Sequence, residues 1–336
     1  MDKMMAYLSP VLGYRQGAVT PVRTDSPVTP LANQIISPKL KIYKENNMQT
    51  RISRAMFQVY EPIVLSGSGA PEVQTMCKQL GLNEHRMGYY AVRAAALGPV
   101  AAEVVSATFY HHTLEMVSPA IPLAWSIAAP EIIIAARFEA VGEALRRLIP
   151  RQIESAEIAE ALELVREAMM GCSIAGRPLF AAHTALPWPS EPHVALWHGL
   201  NLLREHRGEG HTSAVMAAEL PPNQAAPLLI ATTGEARDGR SWRWPDDLWD
   251  KAVAALQERG WLDDSGALTN EGISVRTRIE DETDCLALGP WSHLGKQRTH
   301  RLWTLLRDLL QEILDQNGLA RLRTPIGLSW PAQWPG

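Results

Sequence analysis

Cysteine is scarce in this chain of 336 residues: there are three, Cys77, Cys172 and Cys285, widely separated and odd in number. No C-x-x-C spacing occurs, which argues against both a disulfide framework and a thiolate zinc site and makes a reducing cytoplasm the expected compartment. Long apolar runs are missing as well. None reaches roughly 18–20 residues, the length that a bilayer span needs, so no membrane partner is expected. The opening MDKMMAYLSPVLGYRQ has one lysine and a short apolar patch broken by Pro10, a poor signal peptide. Positive charge is not in excess: a net charge of −4 and a pI near 6.2 give no general attraction to nucleic acid. G-x-S-x-G, Walker A, G-x-G-x-x-G and EF-hand patterns are all absent, so no cofactor is expected.

What is present is ordinary globular material, 46% hydrophobic and 20% charged, enough for one large domain or two of usual size. Residues 1–47 are rich in Pro, Ser, Thr and Asn and carry six basic against three acidic groups without helical period. They are expected to be a loosely ordered extension, and Met48 is a candidate start. From Thr50 onward the pattern turns helical, at 51–65 and at 71–82, with SGSGAP between. Residues 86–117 read as two buried helices bending at Gly98-Pro99, because proline cannot continue the first. Helices at 130–148 and 155–170 follow, the second with Ser155 as N-cap and Gly171 as the residue beyond its end. In 171–192, Pro187, Pro189 and Pro192 follow one short helical phrase, and a linker is expected there. The domains are then a helical 48–170, a second domain at 193–320 and a tail at 321–336.

In the second domain, helices are expected at 193–206, 211–220, 222–232 and 245–260, with a last one near 298–316. After ERGWL come a polar turn at Asp264-Ser265-Gly266 and then Leu268-Thr269 opening a new helix. That order reads as a winged helix with a small β-hairpin wing. The fold class expected is mainly α, a helical N-terminal domain plus a winged-helix-like C-terminal domain.

Several blocks, MGYYAVRAAALGPVAAEVV, LPWPSEPHVALWHGLNLLREHRGEGH, GALTNEG and RIEDETD, resemble a large actinobacterial group of helix-turn-helix proteins, some of them labelled SalK or EvbL. The resemblance covers about residues 50–315. It implies a helix-turn-helix fold and, through members set among natural-product genes, small-molecule chemistry.

A winged helix ordinarily reads DNA, with phosphate contacts from Lys and Arg. Here residues 240–284 hold six basic and eleven acidic side chains, a balance of −5, and Asp246, Asp247 and Asp250 open the recognition-like helix. Such a module repels phosphate, so DNA is not the expected partner.

The segment LLREHRGEGHTSA draws most attention. Apolar Val194, Trp197, Leu200 and Leu203 mark the buried face of the helix before it. His198 and Glu205, seven residues apart, share another face. With the helix stopping at Gly208 and Gly210, His198, Glu205, His206 and His211 converge at a corner as candidate acid–base groups, with Arg204 and Arg207 beside them as anion clamps. The competing readings are a polar helix end, a metal site and a partner interface. The metal reading is weak, because H-x4-H across a loop is not a helical H-E-x-x-H pair.

A second candidate lies at Tyr89, Tyr90 and Arg93, where a charge amid Ala and Val must find an anion or a partner, Glu103 or Glu115. His111 and His112, being adjacent, point about 100° apart on a helix. His183 and Trp188 read as structural, and Trp197 either lines a pocket or joins the core. The function expected is a cofactor-independent enzyme of specialised metabolism working by His/Glu/Arg acid–base chemistry in an interdomain cleft. The alternatives are a MarR-like ligand-responsive regulator and a non-catalytic protein that sequesters a small molecule. The expected partner is a small molecule, with a homodimer as one arrangement.

Overall fold

Helix follows helix wherever the sequence shows the 3.6-residue period. The computed structural model describes residues 47–231, 245–316 and 333–335. The extension expected at 1–47 and nearly all of the tail lie outside the described residues. Asn46–Gly336 groups as one compact unit.

The first helices are α1 (Asn47–Ser68), α2 (Pro71–Gln79) and α3 (Met87–Ala94), the last running into a 3-10 turn at Ala95–Leu97. The chain bends by 93° between that turn and α4 (Ala102–Phe109), as the Gly98-Pro99 pair requires. Short α5 (Leu114–Val117) and α6 (Leu123–Ile127) lead to α7 (Pro130–Leu148) and α8 (Ala156–Met169). Ser155 caps α8, its side chain accepting a hydrogen bond from the Ile158 amide. After α9 (Pro178–Thr184) comes α10 (Pro192–Ala217), then α11 (Pro222–Ala231), α12 (Asp246–Glu258), α13 (Asn270–Leu286), α14 (Gly289–Leu294) and α15 (Lys296–Asp315).

Three expectations change. Residues 171–192 hold α9, which packs on α10 inside the same unit, so the prolines there do not mark off a separate body. The turn after α12 carries one isolated antiparallel bridge, Leu262 to Leu268, and no strand is present among the described residues. The reason is length. Thr269 donates its amide to the Trp261 carbonyl and its hydroxyl caps α13 by accepting from the Gly272 amide, leaving no residues for a wing ladder. A Cβ at Gly272 would sit 2.1 Å from the Trp261 carbonyl oxygen, which is why the L-T-x-x-G pattern ends in glycine.

The third change matters most. Helix α10 does not stop at Gly208 and Gly210 but runs unbroken from Pro192 to Ala217. It packs against α1, α7, α8, α9 and α13, so it is buried nearly all round. Its glycines serve packing. A Cβ on Gly199 would meet Val165 Cγ1 at 2.5 Å and the Trp188 ring, and one on Gly210 would meet Leu286 at 3.1 Å. Gly208, by contrast, has nothing within 4 Å. Gly208→Ala is therefore expected to stabilise by about 0.5–1 kcal/mol, the helix-interior preference of alanine. Gly199→Ala is expected to cost about 1–3 kcal/mol through overpacking. Urea denaturation of both variants checks this, and a destabilised Gly208→Ala would restore the broken-helix reading. Gly171 likewise departs from its expected role. It has no positive φ, and its Cβ would lie 2.5 Å from the Gly289 carbonyl, so it lets two backbones touch.

One core joins α1–α4, α7–α10, α14 and α15 around Tyr60, Tyr90, Leu145, Val165 and Trp303. A smaller one, built on Ala214, Val215, Leu228, Leu256, Trp261 and Ile279, holds α11, α12 and α13 to the end of α10. The long helix thus belongs to both.

Candidate functional site

Because α10 is covered nearly all round, much of its polar face is buried too. Glu205 is 1% exposed and His198 0%. The expected exposed helix end does not exist, and each polar group on α10 must find its partner inside the protein.

Glu205 finds two. Its carboxylate takes both Nε (3.1 Å) and Nη2 (2.6 Å) of Arg93, a bidentate pair, and Nη1 of Arg204 at 3.0 Å. Arg204 passes on to Glu61 of α1, Nε to Oε2 at 2.9 Å. Arg93 also reaches the Tyr89 hydroxyl and lies over the Phe109 ring at 4.3 Å. The partner of Arg93 is therefore Glu205, neither Glu103 nor Glu115, and the two stretches singled out in the sequence form one seam. Burial works to raise the Glu205 carboxyl, but Arg93 and Arg204 overcome it and hold the group at about 2.

The histidines do not converge at a corner. His198 lies edge-on to Phe138 and Trp188, ring centroids 5.2 and 5.3 Å away, with neither ring nitrogen hydrogen-bonded. His206 packs on Phe180 at 5.1 Å. His211 binds the Thr283 hydroxyl through Nδ1 at 3.0 Å and faces His111. With the helix continuing past Gly208, these side chains fan around its axis. Burial depresses all three imidazoles to about 3, with Arg177 adding to it at His206 and Arg137, then His183, at His198. They are neutral at pH 7.

Arg207 belongs to a second network. It binds Asp284 at 2.7 Å and Glu280 at 3.4 Å, and lies over the Phe57 ring. Arg54 of α1 shares Asp284 and Arg276 shares Glu280. Arg276, Glu280 and Asp284 follow one another at four-residue steps, placing all three on one face of α13 against α10. That spacing was visible in RTRIEDETD, although the segment offers no other clue to its partners. Glu209 caps α9, accepting from the Leu179 and Phe180 amides at 2.9 and 2.8 Å. Tyr90 is buried and meets His112 Nδ1 at 3.2 Å, and Tyr89 is 41% exposed. Trp197 is core, donating to the Val64 carbonyl.

Sequence reasoning missed Arg137. It lies in IIIAARFEAVG, as isolated among apolar residues as Arg93, and is 3% exposed. Among the described residues no group of His, Cys, Asp and Glu is arranged to hold a metal ion.

Helices α11 and α12 pack on each other beside α13, two helices and a third closing their own small core. A family model described as "Helix-turn-helix family" matches residues 53–320. The chain belongs to this helix-turn-helix family. The match takes in the helical body as well as α11–α13, so the family's common unit is the two together. No curated protein and no solved structure matches the chain. No single described helix is long and apolar enough to cross a membrane.

Proposed function

We propose that this helix-turn-helix protein binds a small organic molecule in its helical body, with α11–α13 acting as a structural module and not as a DNA reader. The observation that carries the reading is the buried seam Glu61–Arg204–Glu205–Arg93, which opens onto half-exposed Tyr89. Charged side chains inside an apolar body are costly, and a fold that needed only stability would do as well with apolar residues there. The solvent face of α12 supports the second half of the reading. Its exposed side chains include Asp246, Asp247, Asp250 and Glu258 against Lys251, which is itself tied to Asp247. Negative charge in that place repels a phosphate backbone.

Binding fits the seam better than acid–base catalysis. Glu205 is locked as a carboxylate by two guanidinia, and His198 and His206 are neutral near pH 7, too weakly basic to take up and pass on a proton there. The reading is tested with a panel of neutral, cationic and anionic small molecules by thermal shift on the full chain. At least one class is expected to raise the melting temperature with a saturable dose response. No shift with any of them would sink the proposal.

A ligand-responsive regulator is the second reading, favoured by the family match and by the continuity of α10. The helix carries the seam residues Arg204 and Glu205 and core residues of the α11–α13 module at 214 and 215.

A further inference from the structure

Three side chains next to the seam are fully buried yet short of partners. Arg137 Nη1 donates to the Val92 carbonyl at 3.1 Å, and His183 Nε2 meets the carbonyl of Arg93, the next residue, at 3.1 Å. Both thus secure the last turn of α3. That leaves Arg137 Nε and Nη2, His183 Nδ1 and both ring nitrogens of His198 without a hydrogen-bond partner. A guanidinium with two idle donors in the interior is the kind of group that proteins pair or hydrate, because the bare charge is expensive.

The local charge balance points the same way. Arg93 pairs with Glu205, and Arg204 with Glu205 and Glu61, whereas Arg137 has no carboxylate within ion-pair distance among the described residues. Glu205 acts on Arg137 through space, but its oxygens are already taken by Arg93 and Arg204. The missing element is one negative charge with acceptor oxygens.

The surroundings specify the rest of the ligand. Phe138 has the Arg137 guanidinium at 5.1 Å on one side and the His198 ring at 5.2 Å. The Trp188 ring also lies against His198, at 5.3 Å, and Phe138 and Trp188 are both partly exposed, so they link this buried group to the surface. Exposed Arg166 lies over the Trp188 ring at 4.9 Å and adds positive charge at that mouth. Aromatic rings next to an unpaired cation suit a flat apolar body bearing one anionic group.

We infer that Arg137 and His198 form the recognition site for the carboxylate of a small aromatic acid, admitted beside Phe138 and Trp188. The inference rests on the small-molecule reading above and names its ligand class. The carboxylate accepts from Arg137 Nε and Nη2, and neutral His198 supplies a further N–H, while His183, whose Nε2–H donates to the Arg93 carbonyl, holds the backbone beside it.

Calorimetric titration of the full chain with benzoate, with its neutral counterpart benzamide and with acetate tests this. Benzoate is expected to bind one-to-one and at least ten times more tightly than the other two. Arg137→Gln is expected to weaken benzoate at least tenfold while leaving benzamide unchanged. Should that variant not fold, His198→Phe, which fills the same aromatic niche, is expected to weaken benzoate likewise. Benzamide binding as tightly as benzoate would overturn the carboxylate assignment while leaving the small-molecule reading intact. Equal benzoate affinity in a folded variant would move the site elsewhere and overturn the assignment of these residues. No binding of benzoate by the wild-type chain would overturn the inference outright, and silence of the whole panel would take the underlying reading with it.

Discussion

Acidification from pH 7.5 to 5 is expected to remove most of the protein's stability, well before its carboxylates titrate. Seven imidazoles are responsible, His193 among them, lowered by burial. His111 and His183 are depressed to about 4, His198, His206 and His211 to about 3, and His112 well below its ordinary value, in each case first of all by burial. Their folded values lie below the ordinary 6.5, so the unfolded chain takes up protons first as pH falls. The stability they contribute is complete above pH 6.5 and drains away as pH drops towards their folded values. Each imidazole contributes a slope of about 1.4 kcal/mol per pH unit in that window. Several acting together exhaust a total stability of about 5–15 kcal/mol within one or two units. Glu205 and Glu280, both held near 2 by neighbouring arginines against the effect of burial, add the same sign of dependence only below about pH 4.5. Urea midpoints at pH 7.5, 6.5 and 5.5 measure this directly, with a steep fall below 6.5 expected. A flat profile down to pH 5 would mean that the histidines are hydrated in solution and that α10 is not buried as described.

Replacing Glu205 by glutamine is expected to cost about 3–5 kcal/mol, the largest single-site loss in the molecule. The substitution preserves shape but leaves Arg93 and Arg204 facing a neutral amide, with Arg137 already unpaired beside them. The double variant Glu205→Met, Arg93→Met is expected to recover much of the loss, because it removes a cation together with the anion. A single variant within about 0.5 kcal/mol of wild type would place the seam in solvent-like surroundings and deprive it of its functional argument.

The helices were legible in the sequence, their interior glycines and the site only in part. The spans 130–148, 155–170 and 245–260 show clear amphipathic periods, and the Ser155 cap is local chemistry that four residues define. Gly208 and Gly210 misled because glycine near a polar cluster is the ordinary mark of a helix end. In this chain close packing on Leu286 explains Gly210, a tertiary fact with no trace in the neighbouring residues. The expected wing failed for a similar reason: turn chemistry at Asp263–Gly266 is plain, but the immediate Thr269 cap that denies it a ladder depends on geometry. Arg93 was identified as needing a partner, and Glu205 was identified as functional, yet they are 112 residues apart and nothing local links them. Arg137 was readable by the argument used for Arg93 and was passed over.

The proposed function divides the molecule between ligand chemistry in the buried seam and an acidic face of α12 that does not bind nucleic acid. Fluorescence anisotropy of labelled random-sequence duplex DNA, titrated with the full chain at about 50 mM salt, tests it most directly, because phosphate contacts are strongest at low salt. No rise in anisotropy up to tens of micromolar protein is expected. Tight binding that weakens steeply with added salt, with a log–log slope of several, would overturn the proposed function and favour the regulator reading in its place.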